Sequence, residues 1–192
     1  MTAAGARSPR DRYREQVRAE IKEHALRQLA EGGTQNLALK RIATELGMSG
    51  PALYRYYAGR DALLDDLVRD AYDDMAAALA HTAAHLPEDR RESLFALGGA
   101  YREWALAQPH RYLLLQGPPV PGYRAPDDTV RRARAVLEPF VALFARSGPP
   151  DGERPLDADM RRWARSDEAV AQWARQCGAE DMDEAAAGRA LA

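Results

Sequence analysis

Basic and aromatic side chains are concentrated in one short segment of the chain. Tyr54, Arg55 and Tyr56 follow one another directly, and Arg60 comes four residues later. Guanidinium groups and phenol hydroxyls are hydrogen-bond donors suited to phosphate oxygens and to the edges of bases. These residue types therefore indicate contact with a polyanion, and with duplex nucleic acid in particular.

The residues just before this cluster predict how it is presented. Ser49 is a good N-cap and Pro51 falls in the first helical turn, so a short helix begins here. A preceding helix starts near Ala38 and ends at Gly47. A helix, a tight turn and a short second helix form the spacing of a helix-turn-helix motif, whose second helix enters the major groove by its N-terminal end. Small residues at the leading edge of that helix allow its backbone to approach DNA closely.

We predict a DNA-contacting surface on these elements. Lys40 and Arg41 lie near the start of the first helix of the motif, which crosses the DNA backbone, and Arg60 can pair with a phosphate. The preceding segment adds Arg7, Arg10, Arg12 and Arg14. The predicted contacts are Lys40, Arg41, Ser49, Gly50, Pro51, Ala52, Tyr54, Arg55, Tyr56 and Arg60.

Each of these interpretations has a structural alternative. Tyr57 is expected to pack in the core, whereas the ring of Tyr54 can pack while its hydroxyl reaches a phosphate. Arg55 and Tyr56 are expected on the surface. The charged residues of the first helix, including Arg18 and Lys22, are expected to form a solvated face.

Apolar residues at helical spacing predict that the rest of the chain is helical too. Tyr13, Val17, Ile21, Ala25 and Leu29 recur every four residues, and Gly32-Gly33 ends that helix. Further helices are predicted at about 60–85, 90–107, 109–116, 128–146 and 157–177, with a kink at Pro139. No run shows the sustained alternation of a strand, so the predicted fold class is all-α.

Charge and cysteine usage narrow the class of protein. Residues 1–60 carry 11 Lys/Arg against 6 Asp/Glu, a net charge of +5, whereas residues 61–192 carry a net charge of −7. A basic end on an acidic body indicates a module for a polyanion on a separate scaffold. Cys177 is the single cysteine, so no intramolecular disulfide is possible. We find neither a secretory signal nor a membrane-spanning stretch, and we expect a cytoplasmic protein without membrane partners.

The same region resembles a known family. The segment IATELGMSGPALYRYYAGRDALLDDLV is similar to the DNA-binding half of the TetR/AcrR transcriptional regulators, and the resemblance covers about residues 12–75. The matching features are Ile42-Ala43, Gly47 with Ser49, Leu53-Tyr54, Tyr56-Tyr57, Arg60 and Leu63-Leu64. The family often has Phe in place of Tyr57 and Lys in place of Arg60. The segment LGGAYREWALAQPHRYLLL resembles a subgroup of TetR C-terminal domains.

The resemblance implies an all-α protein with an N-terminal three-helix helix-turn-helix domain and a larger C-terminal helical domain for ligand binding and dimerisation. It places a disordered basic arm at residues 1–9, the DNA-binding domain at 10–58 and the regulatory domain at 59–192. It also implies a homodimer, double-stranded operator DNA as partner, and a repressor released by a small-molecule effector. No cofactor and no enzymatic activity are expected.

Aromatic residues in the second half have two interpretations. Tyr101, Trp104, Tyr112, Phe140 and Phe144 could line an effector pocket, although aromatic residues at helical spacing are more often core. Trp163, Val170 and Cys177 recur every seven residues, which fits either a dimer interface or an intrachain seam.

Other function classes find less support in the sequence. His81 and His85 have the spacing of a metal-binding pair, but no third ligand is assured nearby, so no metal site is predicted. Catalytic signatures such as a phosphate-binding glycine loop or a nucleophile elbow are missing from the sequence. The remaining alternatives are a helical protein–protein interaction module without a DNA role and a small helical enzyme.

Overall fold

The computed structural model describes residues 8–117, 122–145, 159, 162–163 and 165–179. Every regular element in these ranges is helical, as predicted. The helices are α1 (Pro9–Gly32), α2 (Leu39–Glu45), α3 (Gly50–Tyr54), α4 (Arg60–Ala83), α5 (Arg90–Ala107), α6 (Pro109–Gln116), α7 (Thr129–Ala145) and α8 (Glu168–Ala174). A 3-10 turn, Thr34–Asn36, precedes α2, and a π-helical turn, Arg175–Ala179, follows α8. None of these helices has the length and apolar character needed to cross a bilayer.

The chain forms two compact units. The first contains the described residues of Met1–Ala71 and Gln108–Pro126, and the second contains those of Tyr72–Ala107 and Asp127–Ala192. Helix α4 therefore contributes to both units, and α6 belongs to the first one although it follows α5 in sequence. The functional boundary predicted between residues 58 and 59 remains a proposal.

Helix α1 ends where the sequence predicts, and it begins at a serine cap one turn before Tyr13. The Ser8 hydroxyl accepts a hydrogen bond from the Asp11 backbone N–H, and Pro9 occupies the first turn. At the other end Gly33 has a φ of 68°, a left-handed conformation that favours glycine and ends the helix.

The core of the first unit follows the predicted stripe of α1, with one exception. Buried residues come from α1, the helix-turn-helix motif and the first half of α4: Val17, Ile21, Ala25, Leu29, Leu37, Leu39, Ile42, Ala43, Leu53, Tyr57, Leu63, Leu64 and Leu67. The placement of Tyr13 on the buried stripe is wrong, because 64% of this residue is exposed. Tyr13 lies one turn before the stretch of α1 that packs on the other helices.

A buried polar side chain fixes the start of α2. Ala38 stands at the N-cap position of α2 and offers no side-chain acceptor. The amide oxygen of Gln28, on α1, accepts the hydrogen bond of the Ala38 backbone N–H at 2.9 Å, and Gln28 is only 1% exposed. The first turn of α2 is therefore anchored to α1 by a part-buried hydrogen bond from a buried side chain.

The second unit packs α5 and the C-terminal elements in its own core. Leu97 and Trp104 of α5 are buried, and Val141 and Ala145 of α7 pack with Cys177. Pro139 lies inside α7, which is a single helix from Thr129 to Ala145.

The prediction of one helix over residues 157–177 is wrong. Asp167 has extended backbone angles and caps a new helix, α8, by accepting hydrogen bonds from the backbone N–H groups of Ala169 and Val170. An aspartate carboxylate satisfies backbone donors at a helix start, so the chain restarts the helix there instead of continuing it. Residues 157 and 158 lie outside the described residues.

Candidate nucleic-acid interface

Leu53 of α3 and Tyr57 just after it anchor this segment in the fold, and residues before and between them reach the surface. Leu53 is 1% exposed and Tyr57 is 2% exposed, so both are anchored in the core of the first unit. Ser49, Pro51, Tyr54 and Arg55 are exposed, and Gly50, Ala52 and Tyr56 are half-buried. Because Leu53 and Tyr57 face the core, the small residues at the start of α3, the phenol of Tyr54 and the guanidinium group of Arg55 lie at the surface.

Local sequence explains why α3 stands at this position. Gly47 has a φ of 63°, which allows the chain to reverse tightly between α2 and α3. The Met48 backbone N–H donates to the Ala43 carbonyl at 2.8 Å and closes this turn. The Ser49 hydroxyl then accepts a hydrogen bond from the Ala52 backbone N–H at 3.3 Å, as expected of an N-cap.

Tyr57 is the centre of a network that joins α1, α3 and α4. Its hydroxyl donates a hydrogen bond to Asp66 of α4 at 2.9 Å. The guanidinium group of Arg18, on α1, pairs with the same carboxylate and lies 4.7 Å from the centroid of the Tyr57 ring. One turn further along both helices, Lys22 pairs with Asp70. These contacts fix the end of the helix-turn-helix motif on the two long helices.

The electrostatics of this network keep Tyr57 and Asp66 in the protonation states that its hydrogen bonds require. Burial raises the pKa of Tyr57, and the negative charge of Asp66 raises it further, so the hydroxyl remains a donor. Burial alone would raise the pKa of Asp66, but the hydrogen bonds from Arg18 and Tyr57 outweigh it and hold that pKa below its ordinary value. Asp66 therefore stays ionised at neutral pH.

The expectation that Arg18 and Lys22 form a solvated face is wrong. Both residues are half-buried and pair with carboxylates of α4. Sequence reasoning missed Asp66 and Asp70 as their partners because each pair is 48 residues apart in the chain. The two pairs have the same separation in sequence, but this regularity alone could not have identified Asp66 and Asp70 among the many charged residues of the chain.

The three predicted phosphate-binding cations have different surroundings. Lys40 is exposed at the start of α2. Arg41 pairs with Glu31 and Glu45, each at 2.8 Å. Arg60 donates a hydrogen bond to the Thr34 carbonyl at 2.7 Å. Arg41 and Arg60 must therefore share or exchange their present partners to contact a phosphate, whereas Lys40 can approach one directly.

The predicted pocket residues fall in both units. Tyr112 lies on α6 in the first unit, whereas Tyr101, Trp104, Phe140 and Phe144 lie on α5 and α7 in the second. Trp104 is buried and its indole N–H donates to Asp74 of α4 at 2.9 Å. The guanidinium group of Arg90 lies 5.4 Å from the centroid of the Phe144 ring. These two aromatic residues therefore already have packing and polar partners.

Two further predictions from the second half concern histidine and the C-terminal residues. The rings of His81 and His85 lie 5.5 Å apart, and no group of three or more metal-ligating side chains is present in the part of the chain that the structure describes. Val170 and Cys177 are buried within the chain, which favours the intrachain seam for them, whereas Trp163 is 45% exposed.

Comparison with known proteins gives matches over both halves of the chain. Residues 21–67 match the family model described as bacterial regulatory proteins, tetR family. Residues 94–191 match the model described as tetracyclin repressor-like, C-terminal domain. The HTH-type transcriptional regulator Rv1816 of Mycobacterium tuberculosis is 43% identical over 149 residues, which are 77% of this chain and 63% of that protein. This chain therefore spans less than two thirds of that relative's length.

Solved structures give the same picture. The crystal structure of SCO4313 is 40% identical, with a TM-score of 0.67 over 95% of this chain and 96% of that one. A protein of unknown function from Rhodococcus sp. RHA1 shares the fold at 23% identity, with a TM-score of 0.60 over 100% of this chain and 95% of that one. With an exposed short helix after a glycine turn, a helical second half, and family matches to both, the chain belongs to the tetR family of bacterial regulatory proteins.

Proposed function

We propose that this protein is a sequence-specific, DNA-binding transcriptional regulator. One observation carries the proposal: Leu53 of α3 and Tyr57 just after it are buried, whereas Tyr54 and Arg55 between them are exposed. Tyr54 is the last residue of α3 and Arg55 is its C-cap, so a phenol and a guanidinium group lie side by side at the exposed end of a short helix. Such a surface fits the major groove, where side chains read base edges and contact phosphates.

In this proposal the leading edge of α3 enters the major groove. Ser49, Gly50, Pro51 and Ala52 are small enough for close approach of the backbone. Tyr54, Arg55 and Tyr56 then contact base edges and phosphates, and Lys40, Arg41 and Arg60 contact the flanking backbone. The DNA-binding domain comprises residues 10–58 and the regulatory domain residues 59–192, as the sequence predicts.

The proposal includes a homodimer and a small-molecule effector. Family membership and the match of residues 94–191 to a tetracyclin repressor-like C-terminal domain support both. In a two-fold dimer the two α3 helices must stand roughly 34–36 Å apart, or a multiple of that distance, to enter successive major grooves. An effector that binds better to a conformation with another spacing releases the protein from its operator, which makes the protein a repressor.

Tyr101, Trp104, Phe140 and Phe144, which all lie in the second unit, remain proposed contacts of this effector. A regulator of bacterial genes works on chromosomal DNA, so we place the protein in the cytoplasm. Family membership favours regulation over catalysis, and we propose no enzymatic activity.

The test begins with selection of binding sites from a random duplex library on immobilised protein. Affinity for a selected 30-base-pair duplex is then measured by fluorescence anisotropy over a range of salt concentrations. Arg55→Ala should weaken binding roughly 5- to 150-fold, the range expected for one specific base contact. The logarithm of the affinity should fall linearly with the logarithm of the salt concentration.

Arg27→Ala is the matched control. Arg27 is an exposed arginine of α1 that pairs with Glu23 at 2.6 Å, so its removal changes the charge equally without touching α3. Equal effects of Arg55→Ala and Arg27→Ala would contradict the assignment of α3 as the recognition helix. Failure of the wild-type protein to enrich or bind any duplex would contradict the proposed function.

A further inference from the structure

A cleft in the first unit lies between the first turns of α1 and the end of α3. Its volume is about 310 Å³. Its lining combines three guanidinium groups with two phenol rings: Arg10, Tyr13, Arg14, Arg55 and Tyr56. The residues from α1 and those after α3 are more than 40 positions apart in sequence, so only the fold brings them together.

The positive charge of this cleft is not neutralised by the described residues. Elsewhere in the same unit, Arg18, Arg27 and Arg41 each pair with a carboxylate of their own or another helix. Among the residues that the structure describes, no such partner is recorded for Arg10, Arg14 or Arg55. Three like charges around one concave surface repel one another, and a bound anion would remove that repulsion.

Two aromatic residues, Tyr13 and Tyr56, complete the lining of this positively charged cleft. Tyr13 breaks the buried stripe of α1 and is 64% exposed beside the cleft. Tyr56 is half-buried, packs against the core of the first unit and so forms a firm wall. Phenol rings offer an apolar face to a sugar and a hydroxyl donor to a phosphate oxygen.

We propose that the cleft binds one phosphate of the DNA backbone together with its attached deoxyribose, beside the point where α3 enters the groove. This inference rests on the proposed function, because Arg55 belongs both to the cleft and to the exposed surface of α3. Arg10 and Arg14 hold the phosphate from α1, and the two tyrosines pack on the sugar. The cleft thereby sets how far α3 enters the groove relative to the backbone.

Three arginines that look equivalent in the sequence differ in the folded protein, because only two of them line the cleft. Arg12 is exposed on the same turns of α1 as Arg10 and Arg14, but it does not line the cleft. A purely diffuse attraction to DNA would use all three arginines alike, whereas a phosphate held in the cleft uses only two of them. The control variant is therefore Arg12→Ala/Arg27→Ala, which removes two exposed arginines of the same helix, neither of which lines the cleft.

The experiment measures binding of the full chain to the selected 30-base-pair duplex and to a scrambled duplex between 50 and 300 mM salt. Loss of one phosphate contact reduces the slope of log affinity against log salt by about 0.9. The Arg10→Ala/Arg14→Ala double variant should show that reduction on both duplexes and bind at least about tenfold more weakly. The control variant should leave the slope close to that of the wild type, although it removes the same number of charges. Thermal melts of both variants check that the surface substitutions leave the fold intact.

The outcomes separate this inference from the proposed function. Equal slopes for the Arg10→Ala/Arg14→Ala double variant and the control variant would overturn the cleft as a phosphate site and leave the DNA-binding proposal standing. No duplex binding by the wild type would overturn both. Sodium phosphate, titrated at constant ionic strength and followed by arginine side-chain NMR, tests a free anion as occupant. Saturable binding of that phosphate, with no change of slope in the double variant, would identify a free-anion site and also overturn the proposal.

Discussion

Removal of the Asp66 carboxylate should destabilise the first unit more than the half-buried position of this residue on α4 alone implies. Asp66→Ala leaves the hydroxyl of Tyr57, a residue that is 2% exposed, without its acceptor. A buried hydroxyl without a partner costs about 1–3 kcal/mol. Loss of the part-exposed pair with Arg18 adds up to about 1 kcal/mol. We therefore expect the free energy of unfolding to fall by about 1–4 kcal/mol.

Asp66→Asn separates the two contributions. The asparagine amide oxygen can still accept the Tyr57 hydrogen bond, so only the ionic part is lost, about 1 kcal/mol. Because the pKa of Asp66 is lowered in the folded protein, its charged form adds stability above the unfolded pKa of about 3.9. That contribution disappears as the pH falls through the lower folded pKa. The stability difference between wild type and Asp66→Asn should therefore persist from pH 7 to about pH 5 and close below about pH 4.

The assay is urea denaturation followed by circular dichroism at several pH values. Asp70→Ala is the matched control, since Asp70 also pairs with a cation of α1, one turn further along α4. Its side chain is 44% exposed and no tyrosine depends on it, so its loss should cost no more than about 1 kcal/mol. If Asp66→Ala and Asp70→Ala cost the same, the buried hydrogen bond of Tyr57 contributes nothing and our reasoning is refuted.

Three smaller predictions concern the turn, the cap and the thiol. Gly47→Ala should cost about 1–2 kcal/mol because alanine must adopt a φ of 63°, whereas Gly50→Ala, in open space without a positive φ, should be nearly neutral in thermal melts. Ser49→Ala should cost about 1 kcal/mol through loss of the cap on the Ala52 N–H, and an unchanged melting temperature would contradict that role. Burial raises the pKa of the Cys177 thiol to about 11, so a disulfide reagent should react slowly at pH 8 and rapidly in urea. Fast reaction of the native protein would show that Cys177 is accessible.

Features that depend on neighbours in the chain were predictable from the sequence. The burial of Leu53 and Tyr57 follows from their spacing of four residues, and the start of α3 follows from Ser49 and Pro51. The end of α1 follows from the glycine at position 33. In each case a backbone conformation or a helical period is set within one or two turns.

Features that depend on contacts between distant elements were not predictable in this way. Arg41 looked like a free phosphate ligand, but Glu31 at the end of α1 comes within 2.8 Å of it only after folding. The helical period placed Tyr13 with the core because the sequence does not show where the packed part of α1 begins. Asp167 reads equally well as an exposed helical residue or as a cap, and only the path of the chain decides between them.

The hydrogen bond from the Ala38 backbone to Gln28 bears on any attempt to transplant DNA specificity. The stretch 37–57 contains both helices of the helix-turn-helix motif, yet the N-cap residue of α2, Ala38, offers no side-chain acceptor. A chimaera that receives only this stretch would inherit the side chains proposed to contact bases, but not the buried amide of Gln28 that caps α2. Segments transferred in this way should therefore also include α1, so that Gln28 and α2 are transferred together.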